Sequence, residues 1–157
     1  MNTIPTYGLN ITDVANWFTC NIDREAGDSI THLKLQKLVY YAQAWALTLN
    51  GTSLFEDEFE AWAHGPVLPE LYEMYKDFGY NALPTCDCDN NITEEIEQVL
   101  LEVNRIYGEK SAKMLEVLTH QEKPWLEARN DLPPEARCNN VITKESMINY
   151  YSTLLNG

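Results

Sequence analysis

The run Leu33–Leu49 (LKLQKLVYYAQAWALTL) is apolar on most sides of a helical projection. Leu35, Leu38, Val39, Ala42, Trp45, Ala46 and Leu49 recur at helical spacing, and Leu33, Tyr40, Ala44 and Leu47 widen that stripe well past one face. Lys34, Lys37, Gln43 and Thr48 leave only a narrow polar strip. A helix apolar on most sides belongs at the centre of a fold. Thr31 is placed to cap it, Ile30 and Leu35 to staple its first turn, and Asn50-Gly51 to stop it. At about 1.5 Å per residue its length is roughly 30 Å, the diameter of a small domain.

Shorter periodic segments flank it. Thr12–Glu25 predicts a first helix, capped by Thr12, carrying Val14, Trp17, Phe18 and Ile22, and stopped by Gly27. Pro69 suits the first turn of a third helix with Leu71, Tyr72, Met74, Tyr75 and Phe78, ending at Gly79. Thr93 caps a fourth, whose Glu94, Glu95 and Glu97 sit at the positive end of the helix dipole. Its face is Ile96, Val99, Leu100, Val103, Ile106 and Tyr107, and Gly108 ends it. Ser111 caps a fifth with Met114, Leu115 and Leu118, and Pro124 starts a short one with Trp125, Leu126 and Arg129. Thr143 caps the last, along which Met147, Tyr150, Tyr151 and Leu154 recur.

Only Leu54–Ala63 breaks the helical rhythm. Its Phe59-Glu60-Ala61-Trp62 portion predicts a strand or extended segment, and Gly65-Pro66 forces a turn. Asn81–Asn91 and Asp131–Asn140 predict polar loops. The sum is a mainly α, compact single-domain helical bundle covering residues 1–157, built around a buried central helix at about 31–50, with one small β element near residues 55–64.

A chain of 157 residues, 45% of them hydrophobic, suits one domain with a real core. The net charge of −13 changes the picture more. A surface this acidic repels phosphates and anionic lipid, so neither a direct nucleic-acid partner nor a membrane is expected, whereas a cationic protein partner is attracted. No stretch reaches the length of an apolar membrane span, and Met1–Asn10 lacks the features of a secretory leader. With four cysteines at no scaffold density, the expected location is cytoplasmic.

Candidate chemistry is sparse. Cys86-x-Cys88 has closer spacing than a structural zinc site uses and no second ligand pair, so it is read as an exposed loop with two unpaired thiols. No nucleophile-elbow, zincin, phosphate-loop or dinucleotide motif occurs. No cofactor, metal or catalytic residue is therefore expected. The histidines are His32, His64 and His120; His64 and His120 lie beside turns, where an imidazole locks the backbone by hydrogen bonding. Most of the many Tyr and Trp residues are expected in the core. Trp62 and Tyr72, flanking the Gly65-Pro66 turn, are expected at an interface.

Three stretches together carry a family resemblance. Thr31–Gln43 (THLKLQKLVYYAQ) resembles the opening motif of the SocA-like antitoxins, or Panacea domain, a family that includes phage-associated proteins of the GepA type. Leu54-Phe55 with Glu60-Ala61-Trp62 and Gly65-Pro66-Val67 resembles its central motif, and Leu118-Thr119-His120 with Glu122, Pro124-Trp125 and Arg129 its closing one. The pattern covers residues 10–155 or so. The resemblance implies a helical prokaryotic or prophage antitoxin that neutralises a cognate toxin by direct protein–protein binding. The expected toxin is basic and encoded adjacently. One alternative is an adaptor that delivers the toxin to a ClpXP-type protease; others are a prophage-encoded inhibitor of a host protein and a hydrolase using His64 or His120. The resemblance supplies no catalytic residue. The expected partner-binding set is Lys34, Gln36 and Lys37 on the polar edge of the central helix, Trp62, His64, Gly65, Pro66 and Tyr72 around the turn, and His120 and Trp125.

Overall fold

The computed structural model describes residues 3–21, 30–84, 88 and 92–156. Its helices are α1 (Ile11–Asn21), α2 (His32–Asn50), α3 (Pro69–Tyr75), α4 (Glu94–Tyr107), α5 (Ala112–His120), α6 (Lys123–Arg129) and α7 (Lys144–Asn156), with a 3₁₀ turn at Lys76–Phe78. The strands are β1 (Phe59–Trp62), β2 (Gly65–Val67) and β3 (Val141–Ile142). Among the described residues no helix is long and apolar enough to cross a membrane.

The expected mainly helical architecture around a buried central helix is what the structure has. α2 is enclosed by α1, α3, α4, α5, α7 and β2. Thr31 caps it by accepting from the Lys34 amide, and Gly51 closes it at φ 66°, a left-handed angle that costs glycine nothing. Leu35, Leu38, Val39, Ala42 and Ala46 are buried as the stripe requires, but Leu49 is 51% exposed while Leu47 in the same turn is buried. The strip drawn from Lys34, Lys37 and Gln43 is not a solvent-facing edge: all three are buried along with Gln36. Periodicity separates apolar from polar positions, yet a helix packed on every side has no outside for the polar ones to face.

Local signals elsewhere hold with small shifts. α1 begins at Ile11, after Asn10, so Thr12 lies in its first turn rather than capping it. The expected end of that helix and its stop at Gly27 lie outside the described residues. Pro69 opens α3, Thr93 precedes α4, Ser111 caps α5 through the Met114 amide, and Thr143 accepts from the Ser146 amide ahead of α7.

The β element is larger than a single strand. β1 pairs antiparallel with β2 across the Ala63-His64 turn, in the register Glu60 to Val67, Ala61 to Pro66 and Trp62 to Gly65. β3 adds to the other side of β1, Phe59 opposite Ile142 and Glu60 opposite Val141, giving the order β2-β1-β3. The third strand comes from some eighty residues further along, too short and too far to show in a local pattern.

A second departure concerns the thiols. Cys88 is not an unpaired thiol: it forms a disulfide with Cys20 at the end of α1, across a separation of 68 residues. Trp17 Nε1 donates to Glu97 at 2.8 Å and joins α1 to α4. Cys86 lies outside the described residues, and Cys138 is free.

Candidate functional site

The turn between β1 and β2 is gripped from beneath by polar side chains of α2. Gln36 clamps the chain just after the hairpin: its Oε1 accepts from the Leu68 amide at 2.9 Å and its Nε2 donates to the Leu68 carbonyl at 3.2 Å. Two helical turns further on, Gln43 clamps the chain before it, accepting from the Leu54 amide at 2.7 Å and donating to the Phe55 carbonyl at 3.0 Å. Both amides are buried, where each satisfied pair replaces two desolvated backbone groups that would otherwise be costly.

Lys37 lies between them, directly under the turn. A Cβ added to Gly65 would stand 2.6 Å from Lys37 Cε and 3.0 Å from Thr119 Oγ1, and Gly65 holds φ 108°. Only glycine fits both the space and the angle. The Lys37 ammonium is fully buried and has no hydrogen-bond partner among the described residues. Burial lowers it from its ordinary value to about 8, against the opposing charge of Glu116. Among the described residues, His32 Nδ1 and His120 Nε2 are also buried without partners. Burial pushes both imidazoles below their ordinary range; the Lys37 charge adds to this at His32 and, after the opposing pull of Glu116, at His120.

The closing motif grips the same hairpin from the other side. Arg129 Nη1 donates to the Ala61 carbonyl at 2.8 Å, while Nη2 donates to the carbonyls of Pro133 and Ala136 at 2.7 Å each. Trp125 Nε1 donates to the Trp62 carbonyl at 2.8 Å. The Trp125 ring is sandwiched, with His120 stacked at 4.0 Å and the Arg129 guanidinium 4.7 Å from its centroid. His120 packs half-buried against Trp125, beside the strand turn. His64 is at the surface: its Nδ1 meets the Glu116 carboxylate at 3.1 Å with the ring 72% exposed. Burial would raise the Glu116 carboxyl, and hydrogen bonds from His64 and Lys113 overcome this and hold it below its ordinary value.

Beneath these grips lies a buried aromatic layer around Glu122. Its Oε1 accepts from Tyr41 and Tyr151 at 2.8 Å each, and Tyr151 Oη is 3.2 Å from Tyr40 Oη. Burial raises the Glu122 carboxyl above its ordinary range, with the two phenol hydrogen bonds pulling it part of the way back. Tyr41 also stacks on Tyr107 at 3.9 Å, tying α2 to α4.

The expected site residues therefore divide. Gln36, Lys37, Gly65, Pro66 and Trp125 are buried framework. Lys34 is framework too, its Nζ donating to the Gly108 carbonyl, and His120 is half-buried against Trp125. His64, Trp62 and Tyr72 reach the surface, with Trp62 and Tyr72 packed edge to face at 5.0 Å. Beside them a groove of about 680 Å³ is lined by Glu60, Trp62, His64, Glu135, Arg137 and Cys138. Sequence reasoning missed Arg129, Glu122 and Gln43 as determinants of this site. Glu122 and Arg129 stood in the closing motif and Gln43 in the polar strip of the central helix, but nothing local assigned them a role. Among the described residues no group of three or more His, Cys, Asp or Glu side chains is placed to hold a metal ion.

The structure is that of a helical module whose three motifs converge on one displayed hairpin. The chain belongs to the family described as "Antitoxin SocA-like, Panacea domain", which matches residues 35–126. The match runs from the first turn of α2 to Trp125 and Leu126, and so takes in Gln36, Gln43, Gly65 and Trp125 of the grip on the hairpin, with Arg129 beyond it. The chain is also similar to Antitoxin SocA of Caulobacter vibrioides (strain NA1000 / CB15N), 34% identical over 113 residues. That alignment takes in 61% of this chain and 58% of the relative, so the chain spans less than two thirds of that protein's length. No solved structure matches it.

Proposed function

We propose that this protein is an antitoxin that neutralises a cognate toxin by direct binding, and that the hairpin is the part it presents. One observation carries the reading: three separated motifs spend their buried polar groups on holding a single surface turn. Gln36 and Gln43 grip its flanks, Arg129 and Trp125 hold β1, and Gly65 is packed onto Lys37. Such investment in a surface feature suits recognition, because a pre-organised loop loses little conformational entropy on binding. Of the expected site residues, Trp62, His64 and Tyr72 face outward, and Trp and Tyr are types found at binding hot spots. The net charge of −13 supports a basic toxin as the partner. Family membership supports a binding role over catalysis, as does the structural use of His120.

Co-expression with the neighbouring open reading frame tests this. The expected result is a product that arrests growth alone, is harmless alongside this chain, and co-purifies with it. A product harmless by itself, or one that remains toxic beside this chain, would overturn the reading.

A further inference from the structure

Strand alternation divides the small sheet into two faces. Phe59, Ala61 and Ile142 point into the core and are buried. Glu60, Trp62 and Val141 point outward, and Val141 is 41% exposed. Glu60 and Val141 are direct cross-strand partners. Glu60 lines the groove beside the hairpin, whereas Val141 lines a second groove of about 390 Å³, together with Glu56, Glu58, Lys144 and Glu145. The two grooves therefore adjoin on one continuous outer face.

The charges on that face are unbalanced. Glu60 and Glu135 in the first groove and Glu56, Glu58 and Glu145 in the second stand against Arg137 and Lys144 alone. The Lys144 ammonium also donates to the Glu56 carbonyl at 3.3 Å. Like charges gathered on one face repel one another, and an incoming cation relieves the repulsion. Glu58, exposed just before β1, and Glu60 are two residues apart, the repeat of alternate side chains in any extended peptide. Trp62 follows at the next outward position, its Nε1 donating to Glu60 Oε1 at 2.8 Å, and offers an aromatic surface for a guanidinium.

We propose that this outer sheet face, spanning both grooves, binds an extended cationic segment of the partner protein. Arg or Lys at alternate positions of the segment meets Glu58 and Glu60, and its apolar positions lie against Val141 and Trp62. The partner's identity as a toxin rests on the antitoxin reading; the surface and the chemistry it selects do not.

The test uses the full chain, ¹⁵N-labelled, titrated with a synthetic peptide of alternating Arg and Val and with the same peptide carrying Glu for Arg. Amide shifts are expected around Glu58, Glu60, Trp62, Val141 and Thr143 with the Arg peptide only. The exposed triple variant E58K/E135K/E145K is expected to weaken that binding about tenfold or more, while E73K/E94K/E109K, with the same change in net charge elsewhere, stays within about twofold. Shifts centred on another face, or equal weakening by both triples, would overturn the proposal. A parallel arm asks each triple to rescue cells expressing the neighbouring open reading frame. Full rescue by E58K/E135K/E145K would remove this face from recognition and leave the antitoxin reading standing. Failure of the unmodified chain to rescue would defeat the antitoxin reading, and the peptide titration would then decide the surface by itself.

Discussion

Lys37 and Gly65 occupy the same small space: a Cβ on Gly65 would come within 2.6 Å of Lys37 Cε. The most buried cation of the central helix is the floor of the hairpin turn. Gly65→Ala adds a methyl group to that contact and also forces φ 108° on a residue that resists it. The expected loss is about 2 kcal/mol or more, read from urea unfolding. Combining it with Lys37→Ala should return part of that loss, since the clash partner is gone; strict additivity of the two changes would show that the contact is not what Gly65 serves.

Lys37 makes stability depend on pH in a definite direction. Its folded value of about 8 lies below its unfolded value of 10.5, so between them the unfolded chain binds more protons. The penalty is complete below about pH 8 and fades as pH rises towards 10.5. Tyr40, Tyr41 and Tyr151, all raised by burial, resist ionisation in the fold and reverse the trend above about pH 10. Unfolding midpoints should therefore rise from pH 7.5 to 9.5, by up to about 1.4 kcal/mol per pH unit. Lys37→Met should be more stable at pH 7 and flatten the slope; an unchanged slope in that variant would assign the effect to another group.

Arg129 joins β1 to the 133–136 segment through three short hydrogen bonds to backbone carbonyls. Arg129→Ala leaves those acceptors without their donor and removes the support of the Trp125 ring. The expected cost is about 3 kcal/mol or more, with loss of partner binding. Arg129→Lys should recover only a minor part, because an ammonium lacks the planar fork that reaches several acceptors together. Full recovery by Lys would show that charge, not geometry, is what matters here.

The Cys20–Cys88 disulfide closes a long loop between α1 and the chain entering α4. Reduction, or Cys20→Ser, should lower stability by up to about 4 kcal/mol on the loop-entropy account. The hairpin stands apart from this staple, so partner binding at temperatures well below the midpoint should persist. A reduced protein of unchanged midpoint would show that the link contributes nothing to the fold.

His64 sits exposed at the hairpin turn, with the Glu116 carboxylate as its hydrogen-bond partner among the described residues. His64→Ala should leave the unfolding midpoint within about 0.5 kcal/mol while weakening co-purification with the neighbouring gene product. Unchanged capture would place recognition away from the turn tip.

Much of this was legible in local sequence. The caps at Thr31 and Ser111, the stop at Gly51 and the proline opening α3 depend on groups a few residues apart, so short spacing rules suffice. The apolar repeat of Leu33–Leu49 likewise identified the core helix before its neighbours were known. The role of its polar letters was not legible. Lys34, Gln36, Lys37 and Gln43 look like a wet edge in projection, yet the groups that satisfy Lys34, Gln36 and Gln43 come from Gly108, Leu68, Leu54 and Phe55, and Lys37 packs under Gly65.

The sequence by itself determined which segments are helical, which helix is central and which family the three motifs mark, because each follows from periodicity, capping chemistry or ordered residue patterns. Tertiary structure alone decided that those motifs meet on one hairpin, that β3 joins its sheet, that Cys20 finds Cys88, and that most of the expected site residues are framework, while Trp62, His64 and Tyr72 face outward. These are long-range pairings: each depends on where packing brings distant backbone groups, and burial is a property of the surrounding elements rather than of the residue.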